Sequence, residues 1–226
     1  MVKSRGQMLL LIGFTSILLF FAGCDNPTGT NESLGSAGPS GGGATYEVGD
    51  VGPAGGLIFF VDADNQYPGW TYLEAAPSDW FQDSGDPAYT FSSGSLTSFP
   101  VTSTAPGAGK DNTADILAGS TVSSATFFAS NASVNGFDDW YLPSYSEVEL
   151  MYINLLVEGA GDFVSVSDDT EIYYWSSSVN ANATLWATNM NPPDPPLDEF
   201  GFVPLNQSIR FTSGNHLHYI RPVRRF

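Results

Sequence analysis

The chain has 226 residues, 42% of them hydrophobic and 14% aromatic, which is enough apolar material for one domain with its own core. Its formal net charge of -17 repels phosphate backbones, so nucleic acid is not an expected partner. The one cysteine is Cys24, which excludes a disulfide framework, a cysteine-rich zinc site and a cysteine nucleophile farther along the chain.

The N-terminus has the pattern of a bacterial export signal. Lys3 and Arg5 precede an apolar segment, residues 8–22, that is shorter than the ~20 residues needed to span a bilayer. Residues 21–24, Phe-Ala-Gly-Cys, resemble the lipobox of bacterial lipoproteins. The resemblance implies that Cys24 becomes the diacylated N-terminus, and the alternative is an ordinary cleaved signal with a chance cysteine.

Three segments are predicted. Residues 1–23 form the signal peptide, and residues 24–44 form the lipidated cysteine and a flexible linker of Gly, Ser, Pro, Asn and Thr. Residues 45–226 form the folded head. We expect an exported protein that is lipid-anchored in the cell envelope, on the outer membrane or the outer face of the inner membrane.

The predicted strands begin with the apolar run at residues 57–61 and a second strand at 70–76. Residues 77–109 predict a long irregular loop that is packed rather than disordered, because its aromatic residues need burial. Later segments are predicted as strands at 173–178 and 183–189 with a turn at 180–182, and as a closing hairpin of 208–211 and 219–224 that turns at 213–215.

The predicted main helix begins after Pro143. Ser144 and Glu147 have the spacing of a capping box. Apolar residues follow at helical spacing, and Gly159 marks the expected end. This apolar face consists of Val148, Met151, Tyr152 and Leu155. Two shorter helical segments are predicted at 113–119, capped by Asp111 or Asn112, and at 122–129.

Five stretches then occur in a recognisable order. They are residues 48–62 (beginning Val-Gly-Asp-Val-Gly-Pro-Ala-Gly-Gly), 109–113 (Gly-Lys-Asp-Asn-Thr), 136–144 (Gly-Phe-Asp-Asp-Trp-Tyr-Leu-Pro-Ser), 174–178 (Tyr-Trp-Ser-Ser-Ser) and 220–224 (Ile-Arg-Pro-Val-Arg). Together they make the head resemble the C-terminal domain family of Legionella collagen-like adhesins, the Lcl-C family. The resemblance implies an α+β, C-type-lectin-like fold: a small twisted antiparallel sheet, two flanking helices, long irregular loops, and pairing of the first and last strands.

The chain departs from the calcium-binding lectins of that fold. Those lectins place acidic and amide ligands near the fourth strand, commonly as Trp-Asn-Asp, whereas residues 186–189 here read Trp-Ala-Thr-Asn. Formylglycine-generating enzymes share the fold, but their oxidase chemistry uses cysteines, and none follows Cys24.

Two groups of side chains in the sequence are of types that can bind a metal ion. His216 and His218 would lie on one face of a strand and could contribute to a zinc site, but no third ligand is evident, which favours a solvent-facing hairpin. An acidic loop has oxygen ligands of the type that calcium takes, without a regular calcium-loop spacing. These residues are Asp194, Asp198 and Glu199. We therefore expect no metal and no cofactor, with calcium as the alternative.

Carboxylate pairs raise the possibility of a hydrolase. Asp138/Asp139 and Glu147/Glu149 are the visible pairs, but helical residues two apart do not face each other, and capping explains Glu147. A hydrolase that uses carboxylate or histidine chemistry remains an alternative. A structural protein or a surface protein with a variable display region is another.

The favoured function is non-enzymatic ligand binding or adhesion, with a glycan or a protein as the ligand. Lectin-like folds bind through loops at one end, which here predicts residues 180–182 and 189–202, with two tryptophans nearby. The predicted contact residues are Trp175, Asn180, Asn182, Trp186, Asn189, Asp194, Asp198 and Glu199. Trp140 could also stack on a sugar. Four basic residues gather near the C-terminus as a possible polyanion patch, the last three being expected to pair with acids: Arg210, Arg221, Arg224 and Arg225.

Overall fold

Strands and helices are mixed along the head, which confirms the α+β prediction. The computed structural model describes residues 44–82, 85–92, 96–119, 123–164, 171–191 and 208–226, within the compact unit Ala44–Phe226. In chain order its elements are β1 (Leu57–Val61), β2 (Tyr72–Ala75), β3 (Ala88–Thr90), α1 (Gly109–Ala118), α2 (Ser124–Ser130), α3 (Tyr145–Met151), β4 (Tyr173–Val179), β5 (Leu185–Asn189), β6 (Ser208–Phe211), β7 (Leu217–Tyr219) and β8 (Val223–Arg225).

The strands form two sheets rather than the single sheet that was predicted. A three-stranded sheet has the order β1-β2-β8, and a five-stranded sheet has the order β3-β7-β4-β5-β6. The larger sheet is not wholly antiparallel, because β4 and β7 pair in parallel at Tyr174 and Tyr219. Three α-helices accompany the sheets within the described ranges, as the three predicted helical segments required, whereas the family resemblance implied two.

The last strand returns to the start of the head without pairing with the first strand. In β8, Arg224 pairs with Glu74 of β2, and β1 occupies the other edge of β2. The implied direct pairing of first and last strands is therefore wrong, since β2 lies between them. The terminal carbonyl of Phe226 accepts backbone hydrogen bonds from Thr71 and Tyr72, which holds the chain end against this sheet.

The predicted C-terminal hairpin is also wrong. Strand β6 extends β5, with Arg210 opposite Trp186, whereas β7 lies on the other side of β4. The intervening segment packs closely against the loop that follows β3, where Ser92 N–H donates to the Gly214 carbonyl at 3.1 Å. A Cβ atom at Gly214 would lie only 2.7 Å from that nitrogen, so this close approach requires glycine.

Helix α3 matches its prediction in detail. The Ser144 hydroxyl accepts from Glu147 N–H at 3.3 Å, and the Glu147 carboxylate accepts from Ser144 N–H at 2.5 Å, which closes the capping box. The predicted apolar face is buried, with Val148 and Met151 fully inaccessible. Beyond α3 the chain continues as a π-helical turn, Tyr152–Leu156, and then reaches Gly159, whose φ of +73° suits the predicted glycine stop.

The start of α1 differs from its prediction. The helix begins at Gly109, and neither Asp111 nor Asn112 caps it. Instead, the Glu147 carboxylate accepts from Gly107 N–H at 3.1 Å and from Gly109 N–H at 3.2 Å. A carboxylate from a distant helix therefore performs the capping role that the local sequence assigned to its own neighbours. Helix α2 begins after the capping residue Ser123 and lies close to its predicted position.

Strand β4 is buried on both faces and separates two apolar clusters. Tyr174 packs with Val148, Met151 and other side chains of the α3 region, whereas Trp175 packs on the opposite face with Ile116 of α1 and Ala125 of α2. All seven residues of β4 are buried. Among the described residues, no helix has the length and apolarity required to cross a membrane.

Candidate functional site

A mixed aromatic and charged surface is formed where α3 meets β5 and β6. Trp186 is half-buried at the second position of β5, and the guanidinium carbon of Arg210 lies 4.4 Å from its ring centroid. The Tyr145 ring packs at 4.6 Å from the Trp186 ring, inclined by 43°. The Tyr145 hydroxyl donates to the Glu149 carboxylate. We call these four residues, Tyr145, Glu149, Trp186 and Arg210, the Trp186 platform.

The secondary structure explains why these four side chains meet. Trp186 and Arg210 are directly opposite in an antiparallel pair, so their side chains share one face of the sheet. Tyr145 and Glu149 are four residues apart and are neighbours on one side of α3. Regular backbone therefore places the four residues of the platform beside one another.

The platform carries chemistry suited to binding. Arg210 is exposed and makes no salt bridge with a described residue. A guanidinium that stacks on an indole can still present its N–H groups to a carboxylate, a sulfate or a sugar hydroxyl. Glu149 adds a hydrogen-bond acceptor beside the Tyr145 ring. A cation, an aromatic edge and a carboxylate together form a surface that can bind a polar ligand carrying a ring.

The two predicted tryptophans have different environments. Trp186 belongs to the platform, but Trp175 is completely buried, and its indole N–H donates to the Tyr89 carbonyl at 2.9 Å. A surface ligand cannot reach Trp175 without disrupting the core, so we remove it from the candidate contact residues. Trp140 is 3% exposed and its indole N–H donates to the Phe137 carbonyl, so it too has a structural role.

The predicted asparagines lie at turns. Asn180 accepts through Oδ1 from the N–H groups of Asn182 and Thr184, at 2.9 and 3.1 Å, and so shapes the turn between β4 and β5. Asn189 similarly accepts from Asn191 N–H at 2.9 Å. The Asn182 side chain is exposed and is the best placed of the three to meet a ligand. The acidic residues Asp194, Asp198 and Glu199 lie outside the described residues.

The two histidines are close, but only one faces solvent. Their rings are parallel with centroids 5.8 Å apart, as expected for side chains on one face. His218 is 9% exposed and packs against Trp175, Phe211 and Tyr173, which contradicts the interpretation of a solvent-facing pair. No group of three or more metal-ligating side chains occurs in the described part of the chain.

In each candidate catalytic pair, one carboxylate makes structural contacts. Glu147 accepts from three backbone N–H groups and from the Tyr141 hydroxyl, at 2.9 Å for the last. Burial raises the pKa of Glu147, and these hydrogen bonds oppose the shift. Asp139 forms a two-point contact with Arg224 at 2.8 and 3.1 Å. Structural contacts therefore account for one carboxylate of each candidate pair.

The expected pairing of the last three arginines with acidic residues is confirmed, although only one of the acidic partners belongs to a neighbouring strand. Arg224 contacts Glu74 of β2 at 3.1 Å as well as Asp139. Burial raises the pKa of Glu74, which Arg224 partly opposes. The other pairs are Arg221 with Asp86, in the loop before β3, and Arg225 with Asp111 in α1.

A small cavity lies away from the platform. It has a volume of about 190 Å³, room for about six water molecules. Its lining includes Leu57, Leu155, Asp162 and the buried Arg221. The Arg221 guanidinium already donates to Asp86 and to three backbone carbonyls, so it has little capacity left for a ligand. None of the predicted contact residues lines this cavity.

Sequence reasoning found Trp186 and noted Arg210, but it missed the other two members of the platform. The helical spacing of Tyr145 and Glu149 could have suggested their contact with each other, although not with a strand. Comparisons of the chain with protein-family models, with curated proteins and with solved structures found no match.

Proposed function

We propose that the head is a non-enzymatic ligand-binding module that binds through the Trp186 platform. The observation that carries this proposal is the stacking of exposed Arg210 on half-buried Trp186, with the tyrosine and glutamate of α3 beside them. The exposed Asn182 lies in the turn that leads into β5, the strand that carries Trp186. Every catalytic carboxylate pair considered from the sequence has at least one member committed to structural contacts.

The proposed ligand is a glycan or a glycan-bearing protein. Sugar rings have apolar faces that pack on aromatic side chains, and their hydroxyl groups bond to arginine and carboxylate groups. Arg210 would favour a sugar with a carboxylate or a sulfate. Because the chain as a whole is acidic, with a net charge of -17, an anionic sugar would bind only close to the guanidinium of Arg210. A protein ligand without a sugar remains a separate outcome of the binding experiment.

We also propose that the head has the C-type-lectin-like fold that the resemblance to the Lcl-C family implies. Support comes from the return of β8 to the N-terminal sheet and from the helices between β3 and β4. The five stretches that carry the resemblance include the capped entry to α3 at Leu142-Pro143-Ser144. In this proposal, that strand-to-helix corner defines the fold, and the ligand binds elsewhere.

The cellular setting is part of the same proposal. A lipid on Cys24 would anchor the chain in the cell envelope, and the linker to residue 44 would allow the head a reach of about 25 Å. The head would then meet glycans or proteins on the outer side of its membrane. The membrane and the ligand are the two partners that we propose.

The test measures binding of the full chain, in an uncharged detergent, to glycan and protein arrays. Trp186→Ala and Arg210→Ala should each remove the principal signals, and Arg210→Lys should retain part of the signal for anionic sugars. Tyr67→Ala and Lys110→Ala are matched controls, since they remove a half-buried aromatic ring and an exposed cation outside the platform. The proposal is overturned if no signal responds to the platform variants while circular dichroism shows them to be folded.

A further inference from the structure

A second aromatic surface lies around α2, on elements that do not contribute to the Trp186 platform. Phe128 stacks flat on Tyr89 of β3, with ring centroids 4.1 Å apart and an inclination of 10°. Phe127 meets Phe128 at 5.6 Å, and Phe81 meets Tyr89 at 6.5 Å. Trp80 completes the series, 5.5 Å from Phe81. We call these five residues, Trp80, Phe81, Tyr89, Phe127 and Phe128, the α2 aromatic face.

The exposure of this face follows from the way α2 is fixed. Ala125 and Ala129 of α2 are fully buried in the core, and Ser123 caps the helix. Phe127 and Phe128 are therefore turned outward, with 47% and 38% of their surfaces exposed. The other three rings are half-buried. Two adjacent exposed phenylalanines on an anchored helix leave apolar surface in water, which usually marks an interaction site.

This surface is also unusual in its charge. Residues 116–137, which include all of α2, contain no charged side chain, in a chain whose net charge is -17. At the far end of the face, exposed Asp79 adjoins Trp80. Asp86, by contrast, is buried and binds the indole N–H of Trp80 at 2.8 Å. The segment that carries Phe127 and Phe128 therefore adds no charged side chain to the surface of an acidic protein.

Such a surface suits the interfacial region of a bilayer. Bacterial envelope lipids present negative charge, which repels most of an acidic protein but not an uncharged aromatic patch. Trp and Tyr are favoured at the depth of the lipid headgroups, and Phe is typical of the apolar face of helices that lie in this region. Phe127 and Phe128 lie on a helix of only two turns, so the face would rest on the membrane surface rather than span the bilayer.

Because a linker would hold the head near the membrane, even a weak contact between the α2 aromatic face and the lipid would be enough to orient the head. If the linker behaves as its composition predicts, about 20 residues would give the head a local concentration of the order of millimolar at the surface that anchors it. We propose that the α2 aromatic face docks on the membrane in which Cys24 is anchored and so sets the orientation of the head. This inference rests on the proposed lipid anchor and does not depend on the ligand of the Trp186 platform.

The experiment uses the full lipidated chain in vesicles of phosphatidylcholine with a minor anionic lipid. Acylation consumes the thiol of Cys24, so a cysteine introduced at exposed Ser133, just beyond α2, can carry an environment-sensitive fluorophore. The expected result is a blue shift and quenching by lipids with a nitroxide near the headgroup. A reporter at exposed Ala63, in the turn between β1 and β2, should show neither effect.

Variants separate the aromatic contact from mere proximity to the vesicle. Phe127→Ser/Phe128→Ser should reduce quenching at the Ser133 reporter to the level of the Ala63 reporter. Val51→Ser, which removes an apolar side chain that is 64% exposed elsewhere, should leave the quenching unchanged. Vesicle flotation measures the anchor independently, because the double variant must still float.

A second arm distinguishes failure of the anchor from failure of the docking. Cys24→Ser with an N-terminal histidine tag, bound to nickel-chelating lipid, retains a tether without acylation. If the chain does not float but the tagged protein shows the quenching, the anchor proposal fails and lipid docking is supported. If the chain floats, or is tethered by the tag, and the Ser133 reporter remains unquenched, the docking proposal is overturned and a protein occupant becomes the explanation for the face.

Discussion

The Asp86 carboxylate binds the Arg221 guanidinium at two points: Oδ1 lies 2.5 Å from Nε, and Oδ2 lies 2.7 Å from Nη2. Both side chains are almost completely inaccessible to water. The other N–H groups of Arg221 donate to the carbonyls of Ala76, Gly161 and Asp162. One buried ion pair therefore connects the loop before β3, the end of β2 and the segment that follows the π-helical turn.

Asp86→Asn should lower the free energy of unfolding by about 3–5 kcal/mol, because it leaves the Arg221 charge buried without its counter-ion. Urea denaturation of the chain at pH 7 measures the change. Asp111→Asn is the matched control: it also removes one negative charge, but Asp111 is largely exposed and meets Arg225 at 3.4 Å. The control should change stability by less than about 0.5 kcal/mol. Equal effects of the two variants would contradict the prediction.

Glu147→Gln should change how stability depends on pH. Burial raises the pKa of Glu147 above its ordinary value of 4.5, with its hydrogen bonds opposing the shift. The unfolded chain then loses this proton at a lower pH than the folded chain does. As pH rises from 4.5 through the raised pKa, the free energy of unfolding therefore falls by the contribution of this group.

The variant lacks that contribution, so its stability relative to the natural chain should rise between pH 4.5 and 7. At every pH the variant should also have a free energy of unfolding about 1–3 kcal/mol lower, since an amide nitrogen would face backbone N–H donors. Urea denaturation at several pH values checks both effects. Glu158→Gln, at an exposed position near the end of the helical segment, should follow the pH profile of the natural chain.

Local signals predicted the elements whose determinants lie within a few residues. The capping box at Ser144 and Glu147 defined α3, and the apolar run at residues 57–61 defined β1. The start of α1 was missed because the group that binds its first N–H groups is Glu147, 38 residues away from Gly109. A pattern of neighbouring residues cannot reveal a cap that arrives from another helix.

Strand pairing was harder to predict from the sequence, because it too depends on residues that lie far apart in the chain. Turn residues between β6 and β7 suggested a hairpin, but β6 instead extends β5, where Arg210 meets Trp186. As it did the buried Trp175, residue type alone selected the half-buried Trp186. Its contact with Tyr145 depends on the packing of α3 against β5, which no local pattern contains. Burial of Trp175 likewise depends on β4 lying between two apolar clusters.

Cys24→Ser should abolish acylation and release the protein from membranes. The physical reason is that each acyl methylene in the bilayer contributes roughly 0.8 kcal/mol to membrane affinity, and no other thiol can accept a lipid. Metabolic labelling with a fatty acid and detergent-phase partitioning measure the two effects. Ser40→Ala in the predicted linker is the control and should keep both the label and the membrane fraction. Persistent labelling of the Cys24→Ser protein would refute the lipobox interpretation.

His218 should make the head less stable in mild acid. Burial, together with the neighbouring charge of His216, lowers the pKa of His218 from 6.5 to about 4. Its ring is enclosed by Tyr173, Trp175 and Phe211, and Nε2 has no hydrogen-bond partner among the described residues. Below pH 6.5 the unfolded chain takes up a proton that the folded chain refuses, so the free energy of unfolding falls as pH drops towards 4.

His218→Phe tests this by placing an uncharged ring in the same aromatic surroundings. The natural chain should lose about 2–3 kcal/mol from this group between pH 6.5 and 4, and the variant should not. The difference between variant and natural chain at each pH isolates His218, because the Glu147 contribution is common to both and has the opposite sign. His216→Gln leaves the buried imidazole in place and should retain most of the acid sensitivity. If His218→Phe and the natural chain lose stability in parallel, His218 accepts its proton in the folded state and its surroundings are more open than the packing indicates.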